Sequence, residues 1–324
     1  MSQSDPVFDH RFQARYLHPR FWLTWLSLGA LYLLAWLPIR LRDALAGALA
    51  PLVVHFAKKQ CFIARTNLAL CFPEQTQAER EATLLASIRV GLQCFFAFAE
   101  PSCFSARRML SRYAPQGWDQ VKAAMEDGGP PVIILIPHTW AIDAGGMFFA
   151  IQGYPMCTMM HSAKNGLYDW FINRQRASYG GRVYERSAGL KAVIKSMREG
   201  HHFFYLPDQD HGAEASLFVP FFGVPKATLP ALPRLVKLTG ARVFPLLAGY
   251  DASTGRYDLA FGEALAPYPT GDLTADTARM NQAIEDLLAP RAEQYMWFLK
   301  YFQTRPEGRA VNFYKEGIRQ IRGR

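Results

Sequence analysis

The residues best placed to do chemistry are His138 and Asp143, in the run Ile136-Pro137-His138-Thr139-Trp140-Ala141-Ile142-Asp143. An imidazole that titrates near neutrality can take a proton from a substrate and return it later. A carboxylate beside it can hold the ring by accepting from Nδ1–H, and it stabilises the imidazolium that forms. Five positions along one helix put two side chains on different faces. The pair therefore needs a turn between its members, with Asp143 near the start of the next helix, where the helix dipole favours negative charge. Spacing of this kind is a weak signal by itself, and a histidine satisfied in a loop is the plain alternative.

Other charged residues gather in two places. Arg174, Arg176, Arg182 and Arg186 lie within the stretch NRQRASYGGRVYERSAG. Guanidinium grips phosphate through paired hydrogen bonds, so these are candidates for holding an anionic substrate group, against the alternative of a solvated basic face. Asp208 and Asp210 follow the apolar run Phe203-Phe204-Tyr205-Leu206 and Pro207. They can orient a basic partner in the site, such as one of those arginines, or cap a turn.

The elements that must position these groups are readable from apolar patterning. Pro131 to Pro137 reads PVIILIP, a short continuous apolar run that suits a strand buried on both faces. Phe203–Leu206 and Val243–Leu247 are similar, and residues 257–261 add a further strand. Helical spacing covers residues 75–96, 190–199 (with Gly200 as a carboxyl-terminal cap) and 274–288, the last opening near Asp272 or Thr274. Strand and helix alternate, which predicts an α/β fold with a mixed, partly parallel sheet flanked by helices. His138 then falls past the carboxyl end of a buried strand, where open α/β sheets usually build their sites.

Composition narrows the partners. The 324 residues are half hydrophobic and 19% charged, enough for a sizeable core and unlike a disordered chain. The net charge of +9 fits an anionic membrane, an acidic protein, a phosphorylated substrate or nucleic acid. Five cysteines, with no CxxC pair, point to scattered reduced thiols rather than a disulfide framework or a zinc site. There is no GxSxG elbow, no GxGxxG and no phosphate-binding loop. No metal and no cofactor is expected.

Phe21 to Pro38 carries no charge and contains Trp22, Trp25, Tyr32 and Trp36, rings that suit a membrane interface. It is at the short end of a spanning length. Both flanks are basic, with Arg11, Arg15 and Arg20 before it and Arg40, Arg42, Lys58 and Lys59 after it. A helix dipping into one leaflet is therefore as consistent as a full span. Residues 44–56 are also largely apolar, with Pro51 expected to interrupt them. The division expected is an anchor over 1–60, a catalytic domain over 61–310 and a solvated basic tail over 311–324.

Several motifs in order resemble one family. His138 and Asp143 are followed by Tyr205-Leu206-Pro207-Asp208-Gln209-Asp210-His211-Gly212, then Val219-Pro220-Phe221-Phe222-Gly223 and Lys226-Ala227-Thr228. Glu293-Gln294-Tyr295-Met296-Trp297 and Thr304-Arg305-Pro306-Glu307-Gly308 come near the end, and Arg65-Thr66-Asn67-Leu68 with Phe72-Pro73 lies upstream. Together these resemble the late-stage lipid A acyltransferases, over nearly the whole chain and with a glycerolipid-acyltransferase-like fold. The form with Asp143 rather than glutamate looks most like the branch that adds the last chain, typically myristoyl.

The resemblance implies an acyl thioester donor on acyl carrier protein and a phosphorylated glycolipid acceptor, a Kdo-bearing lipid A precursor whose 3-hydroxyacyl hydroxyl is acylated. It implies His138 as general base and Asp143 as the group that orients it. Arg176 and Arg186 are the arginines preferred for the acceptor, with Asp208 and Asp210 beside them as substrate-binding residues. It implies the cytoplasmic side of a bacterial inner membrane, and no nucleic acid. The alternatives are a lauroyl-adding member, a related acyltransferase acting on glycerol phosphate or a phosphoglycolipid, and a non-catalytic membrane lipid-binding protein.

Overall fold

The computed structural model describes residues 8, 11–178, 180–308 and 310–322. The strands are β1 (Tyr113–Gln116), β2 (Val132–Leu135), β3 (Met156–Met160), β4 (Arg182–Glu185), β5 (His202–Tyr205), β6 (Leu217–Phe221), β7 (Val224–Thr228), β8 (Arg242–Asp251) and β9 (Arg256–Phe261). The helices before β3 are α1 (Trp22–Trp36), α2 (Ile39–Phe56), α3 (Lys58–Cys71), α4 (Gln77–Phe96), α5 (Glu100–Cys103), α6 (Ala106–Leu110), α7 (Trp118–Glu126) and α8 (Ile142–Ile151). After it come α9 (Gly166–Ala177), α10 (Gly189–Arg198), α11 (Ala231–Thr239), α12 (Leu273–Leu288) and α13 (Lys315–Arg322).

Seven strands form one sheet in the order β1-β9-β8-β2-β5-β3-β4. Only β8 and β9 run antiparallel within it, and β6 and β7 pair as a separate antiparallel hairpin. The expected mixed, partly parallel sheet flanked by helices is therefore what forms, and most of its pairings are parallel. β2 and β5 are buried at every position, as their unbroken apolar runs require of central parallel strands. Successive side chains point to opposite faces. Ile134, Met156 and Phe204 pack with Phe148 and Phe149 of α8 on one face. Ile133, Phe203 and Tyr205 pack with Val193 of α10 and Leu232 of α11 on the other. β1, β3, β4 and the β6–β7 hairpin were not visible in the patterning; β3 reads Met-Cys-Thr-Met-Met and β4 Arg-Val-Tyr-Glu, neither a plain apolar run.

The expected anchor forms α1, which lays Leu28, Leu31 and Ala35 against Ala99, Leu167, Trp170 and Phe171. Trp22, Leu23, Leu26, Leu33 and Trp36 of the same helix remain exposed. The helix α2 continues through Pro51 instead of breaking there. It buries Arg42, Asp43, Ala46 and Ala50 while exposing Leu41, Leu45, Leu49, Leu52 and Phe56, a stripe at helical spacing. Glu100 ties α2 to the body by accepting from both Arg42, at 2.7 Å, and Arg112, at 2.6 Å.

Among the described residues, the one helical run long and apolar enough to cross a membrane is Gln77–Cys103, half of it buried inside the protein. It opens on a capping box between Thr76 and Glu79 and feeds Leu84, Val90 and Cys94 into the cores.

The stretch expected to be a solvated tail differs too. Tyr314 is fully buried, its hydroxyl donates to Asn67 Oδ1 at 2.6 Å, and α13 follows with Ile318 against the core. Residues 1–7, 323 and 324, parts of the expected anchor and tail segments, lie outside the described residues.

Candidate active site

The strands β2 and β5 are parallel neighbours with Leu135 opposite Tyr205. His138 lies three residues past Leu135 and Asp208 three residues past Tyr205, so the two side chains leave adjacent strand ends at the same height. Nδ1 of His138 is 2.5 Å from Oδ1 of Asp208, and the His138 backbone N–H donates to Oδ2 at 2.7 Å. The Tyr295 hydroxyl also donates to Oδ2, at 2.8 Å. The carboxylate is 1% exposed and the imidazole 18%. Burial by itself would raise the Asp208 carboxyl, but the adjacent His138 and these hydrogen bonds hold it below the usual carboxylate value.

An ionised carboxylate can only accept, so the proton of the pair sits on Nδ1 and Nε2 keeps its lone pair. That lone pair faces the Gln209 side-chain amide, with Nε2 to Nε2 at 3.1 Å.

Asp143 is not the partner of the ring. It stands in the first turn of α8, as expected, but its Oδ1 accepts from Arg176 Nε at 2.5 Å. The reason is topological. The bridge and turn at Thr139–Ala141 carry the chain away from His138 into α8, whereas Asp208 arrives from the neighbouring strand. The guanidinium of Arg176 also reaches Met160 Sδ, at 3.3 Å. Burial acts against its charge, and Asp143 more than offsets this, leaving it raised.

Both pairs open onto one cavity of about 580 Å³, lined by His138, Asp143, Arg176, Arg186 and Gln209 together with a largely apolar wall. Arg186 stands at the rim with Nη1 3.3 Å from His161 Nε2. The other two arginines of the cluster are otherwise engaged: Arg174 stacks on Trp170, and Arg182 donates to Ser196 and Glu199.

Asp210 does not orient a basic group in the cavity through any hydrogen bond among the described residues. It accepts from the backbone N–H of Thr304, at 2.6 Å, and of Gly212, at 3.0 Å, which is the turn-capping alternative. Asp208 orients an imidazole rather than an arginine.

Three residues of this constellation had not been singled out. Gln209 and Tyr295 lie inside quoted motifs, but neither type announces a role by spacing. Lys226 is the third: it is fully buried on β7, with Nζ 5.8 Å over the Phe221 ring and 3.5 Å from Thr228 Oγ1. Burial pushes its ammonium down to about 8, although Asp208 and Asp210 pull the other way.

Lysine in the unfolded chain titrates near 10.4. Between the two values the unfolded state binds more protons, so this group costs stability below about pH 8, and that cost fades as pH rises towards 10.5. Lys226→Met should therefore be more stable than the wild type at pH 7, by on the order of 1–3 kcal/mol. Urea melts at pH 7 and pH 9.5 test this; a difference that does not shrink at the higher pH would contradict it.

The remaining motifs brace the site. Met296 N–H donates to the His138 carbonyl, Trp140 N–H to that of Gln294, and Asn67 Nδ2 reaches the carbonyls of Trp297 and Leu299. Arg305 Nη1 holds the Pro225 carbonyl at 2.6 Å, fixing the end of the β6–β7 hairpin.

With the geometry in place, comparison with known proteins gives a consistent picture. Residues 10–304 match the family model described as bacterial lipid A biosynthesis acyltransferase. A lipid A biosynthesis acyltransferase of Haemophilus influenzae is 38% identical over 302 residues, covering 93% of this chain and 94% of its own. The lipid A biosynthesis myristoyltransferase of Escherichia coli is 36% identical over 321 residues, 99% of this chain and 98% of its own. The lauroyltransferase of the same organism is 30% identical over 304 residues, 92% and 97% of the two chains.

Proposed function

The chain belongs to the bacterial lipid A biosynthesis acyltransferase family, and from that premise we propose that it transfers a myristoyl chain from acyl carrier protein to a 3-hydroxyacyl hydroxyl of a Kdo-bearing lipid A precursor. It is an acyltransferase, and its acceptor is a glycolipid. The observation that carries the finer reading is the His138 ring, held at Nδ1 by Asp208, which Tyr295 holds in turn, with Nε2 beside Gln209 at a largely apolar cavity that Arg176 and Arg186 also line.

An alcohol is a weak nucleophile at neutral pH. On binding, the acceptor hydroxyl displaces the Gln209 amide from Nε2, and the imidazole takes its proton as the oxygen attacks the thioester carbonyl. Asp208 stabilises the imidazolium. The tetrahedral oxyanion needs donors placed in advance, and the displaced Gln209 amide, which lines the cavity beside His138, can supply one. Collapse expels the carrier thiolate, which recovers the proton from Nε2. Nothing in these steps requires a covalent enzyme intermediate. Arg176 and Arg186 hold phosphate on the acceptor, and the basic surface speeds docking of the acidic carrier protein. The higher identity to the myristoyltransferase than to the lauroyltransferase supports myristoyl as the donated chain.

The experiment combines purified protein with myristoyl-loaded carrier protein and a lauroylated lipid A precursor, reading the product by mass spectrometry. A gain of one myristoyl group is expected. Transfer to glycerol phosphate instead, or binding without any transfer, would replace this reading by one of its rivals.

The helices α1 and α2 support attachment to a membrane surface. With 15 residues, α1 measures about 22 Å against a hydrocarbon core of about 30 Å. One side of it is packed along the body, so the arrangement supports a helix lying in the interface rather than crossing it. The exposed stripes of both helices would enter the cytoplasmic leaflet of the inner membrane, with Arg11, Arg15, Arg20, Arg40, Lys58 and Lys59 facing anionic headgroups.

Leu23, Leu26 and Leu33 are 78%, 71% and 74% exposed, so changing all three to serine should leave the fold intact. At about 1.5–3 kcal/mol for each leucine buried in lipid, the triple variant should bind anionic vesicles more than about a hundredfold more weakly. Unchanged flotation with such vesicles would remove these helices from attachment.

A further inference from the structure

The wall of the cavity includes three consecutive strand residues, Phe203, Phe204 and Tyr205. The wall also takes Gly146 and Met147 from α8 on one face of the sheet, and Leu190 of α10 and Ala231 of α11 on the other, so the space reaches both faces. The strand pairing explains how. β3 and β5 stay paired only to Thr158 opposite Phe204, while β3 continues beside β4 as far as Met160 opposite Glu185. The two strands part beyond Phe204, below the catalytic histidine.

The lobe on the α8 face is bounded by Ile142, Gly146, Met147, Ala150, Met156 and Phe204, with Thr158 the polar member, its hydroxyl donating to the Phe204 carbonyl. The first four recur at helical spacing along one side of α8, leading away from His138 and Asp143. Between Ile142 and Ala150 this side runs about 12 Å, the length of roughly ten carbons of an extended chain. A few more carbons fit between Ile142 and His138. The lobe on the other face has Arg186 at its rim, a fixed positive charge suited to an anionic head-group rather than to a thioester.

One glycine stands out along the α8 wall. Gly145 has a packing reason, since a Cβ there would meet Ala248 Cβ at 3.0 Å. Gly146 has none: its Cβ would find only the Phe204 ring, at an ordinary 3.8 Å. Glycine inside a helix is destabilising relative to alanine. The absent side chain at 146 leaves the lobe open, and Met156, at the start of β3, stands at the far end beside Ala150.

We propose that the α8-side lobe takes the donated acyl chain, and that Gly146 and Met156 set the chain length the enzyme accepts. This assignment rests on the acyl-transfer reading above. It predicts two shifts of opposite sign. Gly146→Leu narrows the lobe part-way down, and Gly146→Ala does so to a smaller degree. Met156→Ala deepens the floor.

The test offers each protein an equimolar mixture of lauroyl-, myristoyl- and palmitoyl-loaded carrier protein with the glycolipid acceptor, and reads product masses. Gly146→Leu should raise the lauroyl-to-myristoyl ratio at least about tenfold, with Gly146→Ala moving it the same way by less. Met156→Ala should raise the palmitoyl-to-myristoyl ratio several-fold. Should the leucine variant not fold, the alanine variants at both positions still give the two opposed shifts. Folded variants that keep the wild-type ratios would overturn the assignment while leaving acyl transfer intact. A wild type that acylates no glycolipid with any donor would overturn the functional reading itself.

Discussion

His138→Ala should lower the rate of acyl transfer by at least about a hundredfold, the ordinary worth of general base catalysis. The loss should appear in kcat, because the ring's free nitrogen acts on the hydroxyl only as it attacks. Removing the ring also leaves the buried Asp208 carboxylate without its main partner, so the variant should melt below the wild type and the rate is compared at a temperature where both are folded. A variant that transfers acyl chains at the wild-type rate would take the histidine out of the mechanism.

The second large effect distinguishes between two aspartates. Asp208→Asn should lower kcat by about 10³–10⁴-fold, the scale of loss when a serine protease triad loses the acid behind its histidine. An amide at that position can donate to Nδ1, which favours the tautomer with the proton on Nε2 and leaves no lone pair for the substrate. Asp143→Asn should act differently. It releases Arg176, whose charge it holds in place across 2.5 Å, and should chiefly raise KM for the glycolipid. Measuring kcat and KM for both variants decides the matter. If Asp143→Asn abolished turnover and Asp208→Asn spared it, the histidine would be working with the acid that follows it in the chain.

Tyr295 sits behind both outcomes. Its hydroxyl donates to Asp208, and its ring stacks on Tyr301 at 4.7 Å between centroids. The carboxylate is therefore held from the backbone side, from the ring side and from the carboxyl-terminal segment at once. This is why a buried acid with no full ion pair stays ionised beside a histidine.

The sequence by itself determined a good deal about this protein. Unbroken apolar runs became β2 and β5, and the central strand β8 includes the third run. Burial on both faces leaves such residues no other place to go. The ordered motifs along the chain identified the family, since residue identity carries it. The exposed apolar helix at the amino end was also legible, because a charge-free stretch with tryptophans differs from its surroundings whatever it packs against.

Tertiary structure alone decided which groups touch. His138 and Asp143 are near in sequence, yet a helix start sends the acid to Arg176. His138 and Asp208 are 70 residues apart and meet because β2 and β5 are parallel neighbours in register. Strand adjacency is a long-range choice, made by the packing of α8 on one face and α10 and α11 on the other, and local pattern does not encode it. The same holds for Lys226, which looks like a surface residue of a short strand until the hairpin folds it inward, and for α13, whose basic composition hid the core contacts of Ile318 and of the preceding Tyr314.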